Sequence, residues 1–366
     1  MILVRTNLFE DYEYVDTRNI VPNYDYHVLE TFAGAGGLAL GLEKAGFKCV
    51  GLIENDKYAC QTLRMNRPEW NVIEEDIKKV VEKGIFNYID KKIRIDMISG
   101  GYPCQAFSYA GKKLGFQDTR GTLFYYFAEL LKEIQPTIFL VENVKGLVSH
   151  DKGRTLQTML DVYDELGYKT VWKVLNAWDY GVAQKRQRII IVGIKKEYKN
   201  IRYKFPKPYD YKPVLKDVLK DVPPSPGIKY SKEREAVLKL VPPGGNWRDL
   251  PEEIAKKYMG KSYYSGGGRA GMARRLSWNE PSLTLTCSPS QKQTERCHPD
   301  ETRPFTVREY ARIQSFPDDW QFAGSIHQQY KQIGNAVPVE FARAIGLSLI
   351  DLLNRIYDKY KVILKK

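Results

Sequence analysis

Cysteine is scarce: five occur in 366 residues, at positions 49, 60, 104, 287 and 297, odd in number and scattered. That pattern excludes a disulfide framework and suits reduced thiols, so a cytoplasmic protein is expected. Cys297-His298, with Cys287 upstream, lacks a second closely spaced ligand pair, so no metal site is expected. No apolar run reaches a membrane-spanning length, and the amino terminus has no basic-then-apolar leader, so neither membrane nor secretion is expected. Internal repeats and low-complexity tracts are missing too. Acidic residues are in deficit, 44 against 57 Lys plus Arg, which leaves a net charge of +13. Such an excess favours a polyanionic partner and says nothing about fold.

What is present becomes regular at His27. Residues 28–32 read as a strand, 33–37 as a glycine turn, 38–46 as a helix, and 48–53 as a second strand ending on Glu54-Asn55-Asp56. This is a β-turn-α-β unit. Its glycines allow a ligand close to the backbone, and a carboxylate at the end of the second strand can accept two hydrogen bonds from a ribose. The turn does not follow the spacing G-x-G-x-x-G, so an adenosine with a small charged tail fits better than a dinucleotide, and a nicotinamide oxidoreductase is disfavoured.

The alternation continues with strands at 71–74, 95–98 and 137–141, and helices at 122–133 and 155–166. Strands at 170–176 and 188–194 flank Gln184-Lys185-Arg186-Gln187-Arg188. This order predicts an α/β fold with a doubly wound, mostly parallel sheet. Between the fourth strand and the next helix lies Ser99-Gly-Gly-Tyr-Pro-Cys-Gln-Ala-Phe-Ser108. Cys104 stands just past a strand's carboxyl end, where open α/β sheets place their chemistry. On this stretch alone the thiol is as readily a buried filler as a nucleophile. The loop runs on to Thr122 with glycines at 111, 115 and 121, the composition of a closing lid.

After Phe205 the texture changes to prolines and glycines. From Ser225 to Pro304 there are 14 Lys or Arg against 9 Asp or Glu, interleaved with Trp247, Tyr263, Tyr264 and Trp278. A loop-rich basic segment of this kind suits reading of a nucleic-acid groove. Helical pattern returns at 306–316 and again at 338–357. The chain thus divides into an arm (1–26), a regular α/β region (27–204), a basic loop-rich region (205–304) and a return to regular structure (305–366).

With these pieces in order, the sequence closely resembles the bacterial DNA cytosine-5 methyltransferases of restriction–modification systems. The resemblance rests on Phe32-Ala-Gly-Ala-Gly-Gly37, Pro103-Cys104-Gln105, Glu142-Asn143-Val144, Gln184-x-Arg186-x-Arg188 and Gly334-Asn335-Ala336-Val337. It implies a Rossmann-like domain that binds S-adenosyl-L-methionine, built from residues 27–204 and completed by the carboxyl-terminal helix. Residues 205–304 would form a smaller, loop-rich target recognition domain. The cofactor would be held by Phe32, Gly34, Gly36, Gly37, Glu54, Asn55, Asp76, Pro103 and Asn335. Cys104 would be the nucleophile that adds to carbon 6 of cytosine, with Glu142, Arg186 and Arg188 as further catalytic residues. Contacts to double-stranded DNA are expected from Gln105, Ser108, Arg120, Arg269, Arg274, Arg275, Thr284 and Gln291. The resemblance further implies a monomer that flips its target base and works alongside a cognate endonuclease. Rival readings are a transfer-RNA cytosine-5 methyltransferase, whose Cys-Phe-Thr signature is absent here, and a DNA-binding relative that has lost its chemistry.

Overall fold

Apolar, β-branched runs bounded by glycine and acidic residues fold into one seven-stranded sheet in the computed structural model, which describes residues 12–103, 119, 121–198, 200–264 and 271–361. Its strands are β1 (Tyr26–Thr31), β2 (Phe47–Glu54), β3 (Val72–Glu74), β4 (Met97–Gly100), β5 (Ile138–Val144), β6 (Tyr168–Asn176) and β7 (Gln187–Lys195). They lie in the order β3-β2-β1-β4-β5-β7-β6, with β3 to β5 parallel throughout and β7 antiparallel to both its neighbours. The expected doubly wound, mostly parallel sheet is therefore present. β7 slots in beside β5 because Gly193 faces Phe139, whose ring atoms would lie 1.9 Å from any Cβ there. Helices α1 (Gly37–Ala45), α2 (Lys57–Asn66), α3 (Ile77–Lys83), α4 (Leu123–Ile134) and α5 (Arg154–Glu165) supply the crossovers. Asp56, Asp76 and Thr122 cap α2, α3 and α4 by accepting backbone N–H groups.

The chain groups into two compact units. The first comprises Met1–Asn176, Gln187–Pro208 and Val339–Lys366; the second comprises Ala177–Arg186 and Tyr209–Pro338. In the first, a core that includes Leu29, Ile98, Phe127, Phe139, Val141, Tyr163 and Ile191 fills the space around the sheet. The last helix, Val339–Tyr360, packs on α1 within this unit. The amino-terminal arm joins it through a short parallel pairing of Tyr14-Val15 with Phe205-Pro206. The second unit carries α6 (Lys232–Leu238), α7 (Glu252–Met259), α8 (Val307–Ile313) and α9 (Ile326–Asn335), with a small core of its own around Leu238, Val241, Ala273 and Cys297. Among the described residues no helix is long and apolar enough to cross a membrane.

Candidate active site

Because β1 to β5 run parallel, their carboxyl ends fall along one edge of the sheet, the place where such folds bind ligands. At the end of β1 the chain turns through Phe32 (φ 57°), Gly34 (φ 54°) and Gly36 (φ 84°). A left-handed conformation costs a non-glycine residue about 1–2 kcal/mol, so Phe32 is held there by its surroundings. One of them is the edge of Tyr102, with ring centroids 6.1 Å apart. The space where a Cβ would stand at Gly34 holds no atom within 4 Å, which leaves the turn open to a ligand.

Glu54, at the end of β2, is fixed by three backbone donors. Its Oε2 accepts the Gly34 N–H at 2.8 Å, and its Oε1 accepts those of Asn55 and Asp56, both at 2.8 Å. The carboxylate is thereby oriented toward the glycine turn while keeping lone pairs to spare. Asn55 is exposed beside it. Asp76 is exposed past the end of β3, its carboxylate accepting the Lys78 N–H at 2.8 Å as the cap of α3.

Beyond β4 the chain continues through Gly101, buried Tyr102 and exposed Pro103. Cys104, Gln105, Ser108, Arg120 and Arg269 lie outside the described residues. The stem that carries Cys104 is firmly held. Asn143 Nδ2 donates to the Tyr102 carbonyl at 2.8 Å, and the Tyr102 hydroxyl lies 2.7 Å from that of Tyr163. Asn143 belongs to the quoted Glu-Asn-Val motif, yet the sequence alone suggested no role for it.

Glu142 and Arg188 meet on one face of the sheet. In the antiparallel register Glu142 faces Ile190 and Val144 faces Arg188, so the two charged side chains are diagonal neighbours. Arg188 Nε sits 2.9 Å from Glu142 Oε1, and each side chain is 12% exposed. A Cβ at Gly101 would lie 3.2 Å from Glu142 Oε2, so glycine keeps that oxygen's surroundings clear. A largely buried carboxylate and a guanidinium, fixed against each other at a sheet end, can grip a planar ring that carries both donors and acceptors.

The other expected residues belong to the second unit. Arg186 is 2% exposed in the second unit and donates to the carbonyls of Leu285 at 3.1 Å and Gly334 at 3.1 Å. Its neighbour Gln184 is likewise buried, donating to Gln314 and accepting from the Leu285 N–H. Expected to meet DNA, Arg275 is instead 4% exposed, and its guanidinium donates to the carbonyls of Val241, Leu238 and His298 and to the Thr302 hydroxyl. Carbonyl oxygens converge on it, so it binds loops together rather than facing solvent. Arg274 is engaged by both carboxylate oxygens of Glu280. Thr284 donates to the Lys185 carbonyl at 2.8 Å, whereas Gln291 is exposed. Asn335, exposed at the end of α9, accepts from the Cys287 thiol at 3.0 Å. Burial pushes the thiols of Cys49 and Cys60 up to about 12 and that of Cys297 up to about 11, so these three are inert at neutral pH.

The profile of the C-5 cytosine-specific DNA methylase family matches residues 26–351. The type II methyltransferase M.Sau96I of Staphylococcus aureus is 60% identical over 346 residues, spanning 94% of this chain and 80% of that protein. M.Eco47II of Escherichia coli is 57% identical over 345 residues, spanning 92% and 81% respectively. Among solved structures, a DNA modification methyltransferase encoded within an E. coli prophage superposes with a TM-score of 0.66 at 27% identity, covering 90% of this chain and all of that one (100%). These matches support the DNA reading over its rivals. The chain belongs to the C-5 cytosine-specific DNA methylases and is a DNA cytosine-5 methyltransferase.

Proposed function

We propose that this methyltransferase modifies a cytosine flipped out of duplex DNA by transient covalent attachment to Cys104, within a restriction–modification system that includes a cognate endonuclease. The observation that carries the reading is the Glu142–Arg188 pair, fixed at a sheet end beside the stem that leads to Cys104. Carbon 5 of cytosine is a poor nucleophile, and carbon 6 is hidden within the stack. Unstacking costs a few kcal/mol, which contacts with the enzyme offset.

In the pocket, Glu142 accepts from the exocyclic amine and shares a proton with ring nitrogen 3, while Arg188 donates to the oxygen on carbon 2. The Cys104 thiolate forms a bond to carbon 6, and the electron pair of the 5,6 double bond moves onto carbon 5. Glu142 stabilises that pair by protonating nitrogen 3. When bound, S-adenosyl-L-methionine supplies the electrophilic methyl group that carbon 5 takes. A base then removes the proton from carbon 5, nitrogen 3 gives its proton back to Glu142, the 5,6 double bond re-forms, and Cys104 leaves as the thiolate.

Phe32, Gly34, Gly36, Gly37, Glu54, Asn55, Asp76 and Pro103 would hold the cofactor, and Asn335 is assigned to it by motif. The open turn at Gly34 and the oriented Glu54 carboxylate fit an adenosine whose ribose offers two hydroxyls. The first unit is the catalytic domain in this reading. The second holds the target recognition domain, and the chain works as a cytoplasmic monomer.

The test is transfer of a tritiated methyl group to duplex DNA. Cys104→Ala is expected to leave no turnover while DNA and cofactor binding persist. Glu142→Gln is expected to lower kcat by about 10²–10³, within the usual range for a positioned acid–base group. Duplexes containing 5-fluorocytosine should trap wild-type protein in a covalent band, since loss of the proton is blocked. Turnover by Cys104→Ala at a near wild-type rate would overturn the covalent scheme.

A further inference from the structure

Three long polar side chains in succession, Gln291, Lys292 and Gln293, are exposed on one tight turn of the second unit. The turn is closed by the Thr294 N–H donating to the Gln291 carbonyl at 2.9 Å. Directly after it, Glu295 is fully buried (0% exposed). Its carboxylate accepts from the Tyr258 hydroxyl at 2.6 Å and the Ala273 N–H at 2.5 Å, and it pairs with Arg234 Nε at 2.8 Å. Arg234 also reaches the other side of the turn, donating from Nη1 to the Ser290 carbonyl at 2.5 Å. The Arg234 guanidinium therefore joins the residue that precedes the turn to the residue that follows it, by a hydrogen bond on one side and an ion pair on the other.

Further ties come from the flanks. Buried Arg296 donates to the carbonyls of Thr284 at 2.9 Å and Glu295 at 2.6 Å. The Glu295 N–H donates to the Gly271 carbonyl at 3.0 Å, and a Cβ at Gly271 would sit 2.8 Å from the Gln293 carbonyl oxygen. Lys292 Nζ lies 4.7 Å from the centroid of the Tyr258 ring, so the residue that grips Glu295 also steadies an exposed side chain.

Burying a carboxylate with a guanidinium is a poor way to add stability, because desolvation consumes most of the attraction. Apolar residues of similar volume would serve as well if cohesion were the only need. An ion pair that reaches across a turn fixes its backbone instead, and glutamine and lysine held rigidly are suited to the donor and acceptor pattern of adenine and guanine edges.

We propose that Glu295 is a positioning residue for sequence recognition, holding Gln291, Lys292 and Gln293, with Arg234 and Tyr258, as one rigid reader of base edges in duplex DNA. The proposal rests on the methyltransferase reading above and adds how its target is chosen.

The experiment uses the full chain, S-adenosyl-L-methionine and a pool of duplexes with randomised sequence, followed by bisulfite sequencing. Wild type defines the preferred site and the ratio of its methylation to that of sites differing by one base pair. Glu295→Gln is expected to lower that ratio at least tenfold and to raise KM for the preferred duplex more than it lowers kcat. Tyr258→Phe, which removes one hydrogen bond and keeps the ring, is expected to shift the ratio in the same direction by less. It decides the matter should Glu295→Gln not fold. Lys292→Ala and Gln293→Ala should each relax discrimination at a single position of the site. Wild-type ratios in both Glu295→Gln and Tyr258→Phe, even with lowered melting temperatures, would reduce Glu295 to a structural clamp and overturn the positioning role. A wild-type chain that methylates no duplex cytosine would instead overturn the activity on which it rests.

Discussion

Glu30 shows how a single residue beneath the glycine turn ties stability to pH. It lies in β1 and is 1% exposed. Burial holds its carboxyl well above the ordinary value of 4.5; the Ala39 N–H opposes that shift and the nearby Glu54 charge adds to it. A carboxyl whose pKa rises on folding carries a proton that the unfolded chain gives up. Its contribution is fully present below pH 4.5 and declines as pH climbs toward the folded value. Glu30→Gln is expected to remove that decline, so its melting temperature should exceed that of wild type by a margin that grows as pH is raised above 4.5, as read by calorimetry. Parallel curves for the two proteins would show that Glu30 is charged in the fold. Sequence reveals a charge but not its neighbours. Glu142 and Arg188 could be picked out because their motif order is distinctive, whereas Arg275 gave no sign that carbonyls would enclose it. Glu295 was equally silent, since its partners lie at positions 234, 258 and 273.

At the scale of elements, the contact between α1 and the last helix is close enough for their backbones to nearly touch. A Cβ on Gly41 would lie 2.3 Å from Ala342 Cβ and 2.6 Å from the Val339 carbonyl oxygen, and one on Gly346 would lie 2.7 Å from Ala45 Cβ. Gly41→Ala must therefore push the helices apart. The cost should be about 1–3 kcal/mol, the usual range for overpacking. It should appear as a lower urea midpoint with an unchanged slope. Most strands could be read from apolar runs, and α1, α4, α5 and the last helix from periodicity. The polar helices α2 and α3 were not, although Asp56 and Asp76 cap them. Nor was α9, whose Ser325 accepts the Gln328 N–H. The reversed direction of β7 escaped because strand direction is decided by which neighbour a segment pairs with, a long-range fact that local pattern does not carry.

For the whole molecule, the net charge of +13 should govern encounter with DNA. Binding of a duplex, followed by fluorescence anisotropy, is expected to weaken by roughly 10³-fold or more between 50 and 200 mM salt, as counterion release dictates for six or more phosphate contacts. A flat response would mean that phosphates contribute little. The chain path carries a further consequence. Strand β7 inserts between two strands that precede it, and the helix that covers α1 is made about 300 residues after α1 itself. On the ribosome, at about 5–20 residues per second, α1 would wait on the order of 15–60 s for its cover. During that interval the nascent chain carries an uncovered apolar surface, a binding site for chaperones. Truncations that omit Val339–Tyr360 should therefore emerge as insoluble protein rather than as a shorter, working enzyme.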